Sequence, residues 1–140
     1  MNIGMAGTLA VYLLTATLFL CVDFLYLRWF ARDFLQQQLG PLLRPQVNLA
    51  AALGVYLLFA AGLVFFAIRP AIAEESAARA LLYGALFGFF TYATYDLTNL
   101  ATLKGWPTAV ALVDIAWGTA LSAAVSWITF LLTSRWILGR

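Results

Sequence analysis

Three carboxylic acids, Asp23, Asp96 and Asp114, stand inside stretches that are otherwise almost wholly apolar. An ionised carboxylate held away from water without a partner is strongly disfavoured, so each must be paired across helices, protonated or hydrated. Any of those states can be put to chemical use, in binding a cation or solute or in carrying a proton. No basic side chain on the same stretch answers them. Arg28 lies about 140° around a helix from Asp23, and Lys104 lies about 80° around from Asp96 and nearer water.

Polar and aromatic residues fall beside the acids. Asn48 opens the second apolar stretch, Tyr92 stands one turn before Asp96, Asn99 follows it by less than a turn, and Trp117 follows Asp114 in the same way. The candidate ligand- or proton-binding set is therefore Asp23, Asn48, Tyr92, Asp96, Asn99, Asp114 and Trp117. Aromatic faces beside carboxylates suit a cation or a flat apolar ligand, although the same rings also serve as core packing. Asp and Asn can equally act as interhelical glue, at about 0.6 kcal/mol per hydrogen bond. Three acids at one depth favour a site over glue. Histidine is absent and Cys21 is the single cysteine, so zinc, haem and His-based triads lack ligands, and no metal or cofactor is expected.

The elements that must position these residues follow from composition. With 64% hydrophobic and 10% charged residues and a mean hydropathy of +0.92, the chain lies far from a soluble domain, where about 25% of residues are charged. Four apolar stretches, at 8–30, 47–68, 77–101 and 108–133, are each near the roughly 20 residues that cross a bilayer core as a helix. The expected fold is all-α: one polytopic membrane domain over residues 1–140, an antiparallel bundle of four transmembrane helices. Gly40-Pro41 and Arg44-Pro45 precede the second span, Arg69-Pro70 closes it, and Lys104-Gly105-Trp106-Pro107 turns the third into the fourth. Residues 31–39 read either as a short helix continuing from the first span or lying at the interface, or as a solvated loop.

Because alternate spans run in opposite directions, the three acids come to a common depth, on the order of 10 Å inside the face opposite the termini. An acid at a span centre costs about 2.5 to 3.5 kcal/mol of insertion free energy, against a return of about 0.3 to 0.6 for each Leu, Ile, Phe or Val. The third span is nearly balanced on that scale and is expected to insert as a hairpin with the fourth. Small residues recur every four positions, as Ala80, Gly84, Gly88, Tyr92, Asp96 on the third span and Asp114, Gly118, Ser122, Ser126 on the fourth. Such rows let backbones approach closely and turn both acids toward another helix. They could also dock a second copy, so a homodimer is expected. Trp29, Trp106, Trp136 and Tyr26 read as anchors at the two membrane surfaces.

Orientation should follow Lys and Arg, but the two faces tie: Arg28, Arg32, Arg44 and Lys104 against Arg69, Arg79, Arg135 and Arg140. Both termini are assigned to the cytoplasm. The first span lacks a basic start and a small-residue cleavage site, so it is expected to stay attached. A net charge of +2 points to no nucleic-acid partner.

Residues 91–102 (TYATYDLTNLAT), then Gly105-Trp106-Pro107, then residues 113–119 (VDIAWGT), with Asp23, Asn48, Ala51 and Ala52, resemble a bacterial family of small four-span predicted membrane proteins catalogued as a domain of unknown function. The resemblance covers nearly the whole chain and implies a bacterial inner membrane without implying a reaction or catalytic residues. From the acids, three roles are open. The favoured one is binding or transporting a small solute, coupled to protons. The second is an enzyme doing acid-base chemistry on a lipid-soluble substrate, and the third an accessory subunit whose acids meet a partner helix. Beyond the lipid bilayer, the expected partner is a small solute or lipid-like ligand.

Overall fold

Caps and glycines set the limits of four antiparallel helical rods in the computed structural model, which describes residues 3–137 and 139. The first rod begins with α1 (Gly4–Tyr26), passes through a π turn at Leu27–Ala31 and runs on as α2 (Arg32–Leu39). Of the two readings of residues 31–39, the continuing helix is the one the chain adopts. It stops at Gly40, whose φ of 36° suits glycine. The second rod starts at Asn48, whose side-chain oxygen accepts the Ala51 N–H at 3.1 Å, and comprises α3 (Leu49–Leu63), a π turn at Val64–Ile68 and α4 (Arg69–Ala73).

Pro70 was expected to close that rod, and instead the helix continues to Ala73. The preceding π turn explains why. Arg69 N–H reaches back to the Val64 carbonyl, and Pro70 then falls in the first turn of α4, where its missing N–H costs little. Ser76 caps α5 (Ala77–Thr102), accepting the Arg79 N–H at 3.3 Å. Gly105, at φ 74°, makes the turn into α6 (Thr108–Leu132), which is followed by a π turn at Thr133–Ile137. Arg140, counted above for orientation, lies outside the described residues.

The rods Gly4–Leu42, Leu49–Ala73 and Thr108–Trp136 are long and apolar enough to cross a membrane. Helix α5, at 26 residues, is long enough but is not among them. Asp96, Asn99 and its threonines dilute its hydropathy. It is held instead by α6 along the small-residue rows. A Cβ at Gly88 would come 2.3 Å from the Gly118 carbonyl oxygen, and one at Gly84 would come 2.5 Å from that of Ser122. The two backbones therefore touch where any larger residue would separate them.

The apolar core, including Phe19, Leu63, Ile68, Ile72, Leu121 and Val125, fills the half of the bundle nearest the chain ends. Outward, Leu9, Leu13, Phe24, Leu58, Phe65, Phe90 and Leu112 are exposed, as lipid contact requires. Trp136 is exposed near the end of the last rod, at a belt position, and Trp29 is exposed on the π turn within the first rod.

Replacing Gly88 by Leu should lower stability by about 1 to 3 kcal/mol, the usual penalty of overpacking. Gly54→Leu should be near neutral, because nothing lies within 4 Å of a Cβ there. Thermal unfolding of the two variants in one detergent checks both outcomes.

Candidate functional site

The half of the bundle away from the chain ends holds the buried acid Asp96, where the buried polar groups toward the other end are hydroxyls such as Ser126, Thr129 and Thr133, and Asp23 ties three rods together. From α1, its Oδ2 accepts a hydrogen bond from the Tyr56 hydroxyl of α3 at 2.6 Å. Its Oδ1 accepts one from Trp117 Nε1 of α6 at 2.9 Å. Trp117 in turn stacks on Tyr26, with ring centroids 3.9 Å apart and planes 10° from parallel. Tyr26, read from the sequence as an interface anchor, is drawn inward because it lies one turn from Asp23 on the same helical face.

Asp96 has no such donors. It is wholly buried, and neither carboxylate oxygen meets a hydrogen-bond donor among the described residues. Its polar neighbour is another acid, since the Asp114 carboxyl of α6 lies within hydrogen-bonding reach. Two ionised carboxylates are both acceptors, so this contact becomes a hydrogen bond only when one of them holds a proton. Tyr92 presses its ring onto the Gly118 backbone, where a Cβ would fall 2.1 Å from the ring, and meets Phe59 edge-on at 5.6 Å.

Two cavities adjoin this cluster. The smaller, about 110 Å³, is lined by Asp23, Tyr26, Tyr92, Asp114 and Trp117, with Ala31, Phe34 and Leu35 of the first rod closing it. The larger, about 410 Å³, lies between α3 and α5 against Val55, Phe59, Thr91, Tyr95 and again Tyr92 and Asp114. Tyr92 and Asp114 thus stand between a polar chamber and an apolar one.

Five of the seven sequence-derived residues, Asp23, Tyr92, Asp96, Asp114 and Trp117, are brought together. Asn48 is not: it is exposed at the start of α3, and its side chain is engaged in capping. Asn99 lies beyond Asp96 near the end of α5, half-buried, where its backbone carbonyl accepts the closing bond from Leu103. Neither lines either of these two cavities. Sequence reasoning missed Tyr56. The signal was present, because a tyrosine hydroxyl deep in an apolar stretch needs a polar partner, and Asp23 was the unpaired acceptor. Among the described residues no Lys or Arg pairs with the three acids. The ion pair Arg79–Glu74, at 3.2 Å, sits at the other end, where Glu74 also accepts from the Tyr83 hydroxyl at 2.8 Å.

Such a fold, four helical rods of which three are long and apolar enough to cross a membrane, with a buried polar cluster, defines a multi-pass helical membrane protein. The family model described as "Predicted membrane protein (DUF2177)" matches residues 8–131, and the chain belongs to that family. Comparison with curated proteins and with solved structures finds no match.

Tyr56→Phe should cost about 1 to 3 kcal/mol, because it leaves one Asp23 oxygen without its donor. Trp117→Phe should act similarly. If both donors serve the same carboxylate, the double variant should differ from the sum of the singles by at least about 0.5 kcal/mol. Unfolding of the four proteins of this cycle in detergent measures it.

Proposed function

We propose that this protein binds and moves a small solute through the carboxylate cluster, exchanging a proton held between Asp96 and Asp114. The observation that carries this reading is the Asp96 carboxyl, buried without a donor or a cation and facing a second acid. Structural glue would leave that carboxyl hydrogen-bonded, as Asp23 is. A pair that must hold a proton to be stable inside the bundle is a natural place to give that proton up when a cationic or polar solute enters. The groups facing the pair are Asp23 and Tyr26 from α1 and Tyr92 from α5, with Tyr56 of α3 behind them on Asp23. None supplies a positive charge.

All four rods cross the membrane in this reading, with α5 carried in by its contact with α6. The setting is a bacterial cytoplasmic membrane with both chain ends inside. The small-residue rows that suggested a homodimer are used between α5 and α6 within one chain. Gly54, open on the outer surface, is the remaining support for self-association.

The test is Asp96→Asn, which keeps size and hydrogen-bonding capacity but removes the titratable charge. In the wild type, raising the pH strips the shared proton and sets two negative charges in contact, so thermal stability in detergent should fall toward alkaline pH. In Asp96→Asn the fall should be shallower over the same range, because one charge of the pair is gone while the Asp114 carboxyl remains. In liposomes the wild type should move protons in the direction opposite to the solute, and the variant should not. Identical pH profiles for the two proteins would remove the proton-holding pair from consideration.

A further inference from the structure

We infer that the solute is an amphiphilic cation, an amine whose ammonium group sits between Asp23 and Asp114 and whose apolar body occupies the larger cavity beside Val55, Phe59 and Tyr95. The inference rests on the solute-site reading above and gives its ligand a chemical class.

Charge comes first. Three carboxyls share this end of the bundle, and a proton between Asp96 and Asp114 still leaves negative charge on that pair and on Asp23. Among the described residues no basic side chain pairs with them, and Asp96 has no donor at all. Buried charge is stable when matched, so the missing partner is positive. An anion is excluded by the same reasoning.

The kind of cation follows from the walls. The described acids do not converge into a set that could hold a metal ion. The chamber between Asp23 and Asp114 is instead faced with rings, the stacked Tyr26 and Trp117 on one side and Tyr92 on another. Ring faces attract ammonium groups, most strongly where water is excluded. At about 110 Å³ the chamber admits a head group and little more.

The larger cavity supplies what that chamber lacks. Its volume of about 410 Å³ is in the range of small-molecule sites, and Val55 and Phe59 make much of its wall apolar, with Asp114 as its one acid. Because Asp114 and Tyr92 border both spaces, a ligand held by its charge at Asp114 can lay an apolar group of one ring or a short chain against Phe59. A purely inorganic cation would leave that volume without a role.

Full-length protein in detergent can be titrated with four probes, following tryptophan fluorescence and thermal unfolding: 2-phenylethylammonium, 2-phenylethanol, ethylammonium and phenylacetate. Expected is binding of 2-phenylethylammonium at least about tenfold tighter than the neutral alcohol or the short amine, with no binding of the anion. Asp114→Asn should erase the preference for amine over alcohol. Should that variant fail to fold, Val55→Trp, which fills the apolar cavity from its outer side, should weaken 2-phenylethylammonium and leave ethylammonium unchanged. Equal binding of amine and alcohol, tight binding of phenylacetate, or indifference to Val55→Trp would each overturn the inference. Loss of amine binding with the Asp96-dependent pH response intact would overturn the ligand class alone. Amine binding without that response would uphold it and remove the proton exchange.

Discussion

Buried carboxyl groups that meet no cation among the described residues are the constraint around which this bundle is organised. Each acid at mid-span costs about 2.5 to 3.5 kcal/mol of insertion free energy, and the rods answer that cost in different ways. Asp23 is met by two neutral donors from two other helices, one hydroxyl and one indole, which spreads its charge without cancelling it. Asp96 and Asp114 answer each other. The helix carrying Asp96 is also the one rod not apolar enough to count as a span by itself, and its Gly84 and Gly88 bring its backbone directly against that of α6. The glycine rows and the acid are two parts of one solution: α5 tolerates its polar residues because α6 shields them from lipid.

The same logic separates the two halves of the bundle. Near the chain ends the rods meet through Leu63, Ile68, Ile72, Leu121 and Val125, beside a cavity of about 630 Å³ between the first two rods at Tyr12, Val64 and Phe65. At the other end the aromatic side chains replace aliphatic ones, since a ring can fill space and still offer a hydroxyl, an N–H or a π face to a carboxylate.

Much of this was legible in the sequence. The spans, the common level of Asp23, Asp96 and Asp114, and the facing rows at Gly84, Gly88 and Gly118 all follow from a helix of fixed rise and pitch. What escaped depends on relations between rods. Tyr56 and Tyr26 became part of the cluster through the rotation of α3 and α1 about their axes, which featureless apolar faces do not fix. Asn48 looked like an intramembrane amide, yet its position just before an apolar run is equally that of an N-cap, and capping the helix is what it does. Pro70 looked like a stop because its effect was judged on an α-helix. The chain changes to a wider turn just before it, and the stop becomes a passage.

The π turn at Leu27–Ala31 acts as a phase correction on the first rod. Every residue of an α-helix advances the side-chain direction by about 100°, and the one extra residue of a π turn sets the following segment back by about that amount. Without it, Ala31 and Leu35 would drift around the axis, away from the line of Asp23 and Leu27 and toward lipid. With it, they return to that line, and the part of the rod that leaves the bundle closes the chamber that the earlier part opens. One chain segment thus supplies both floor and roof. The angle between them is set by a single residue of surplus backbone, so deleting Arg28 alone would change which way the roof faces while leaving every apolar residue of the span in the chain.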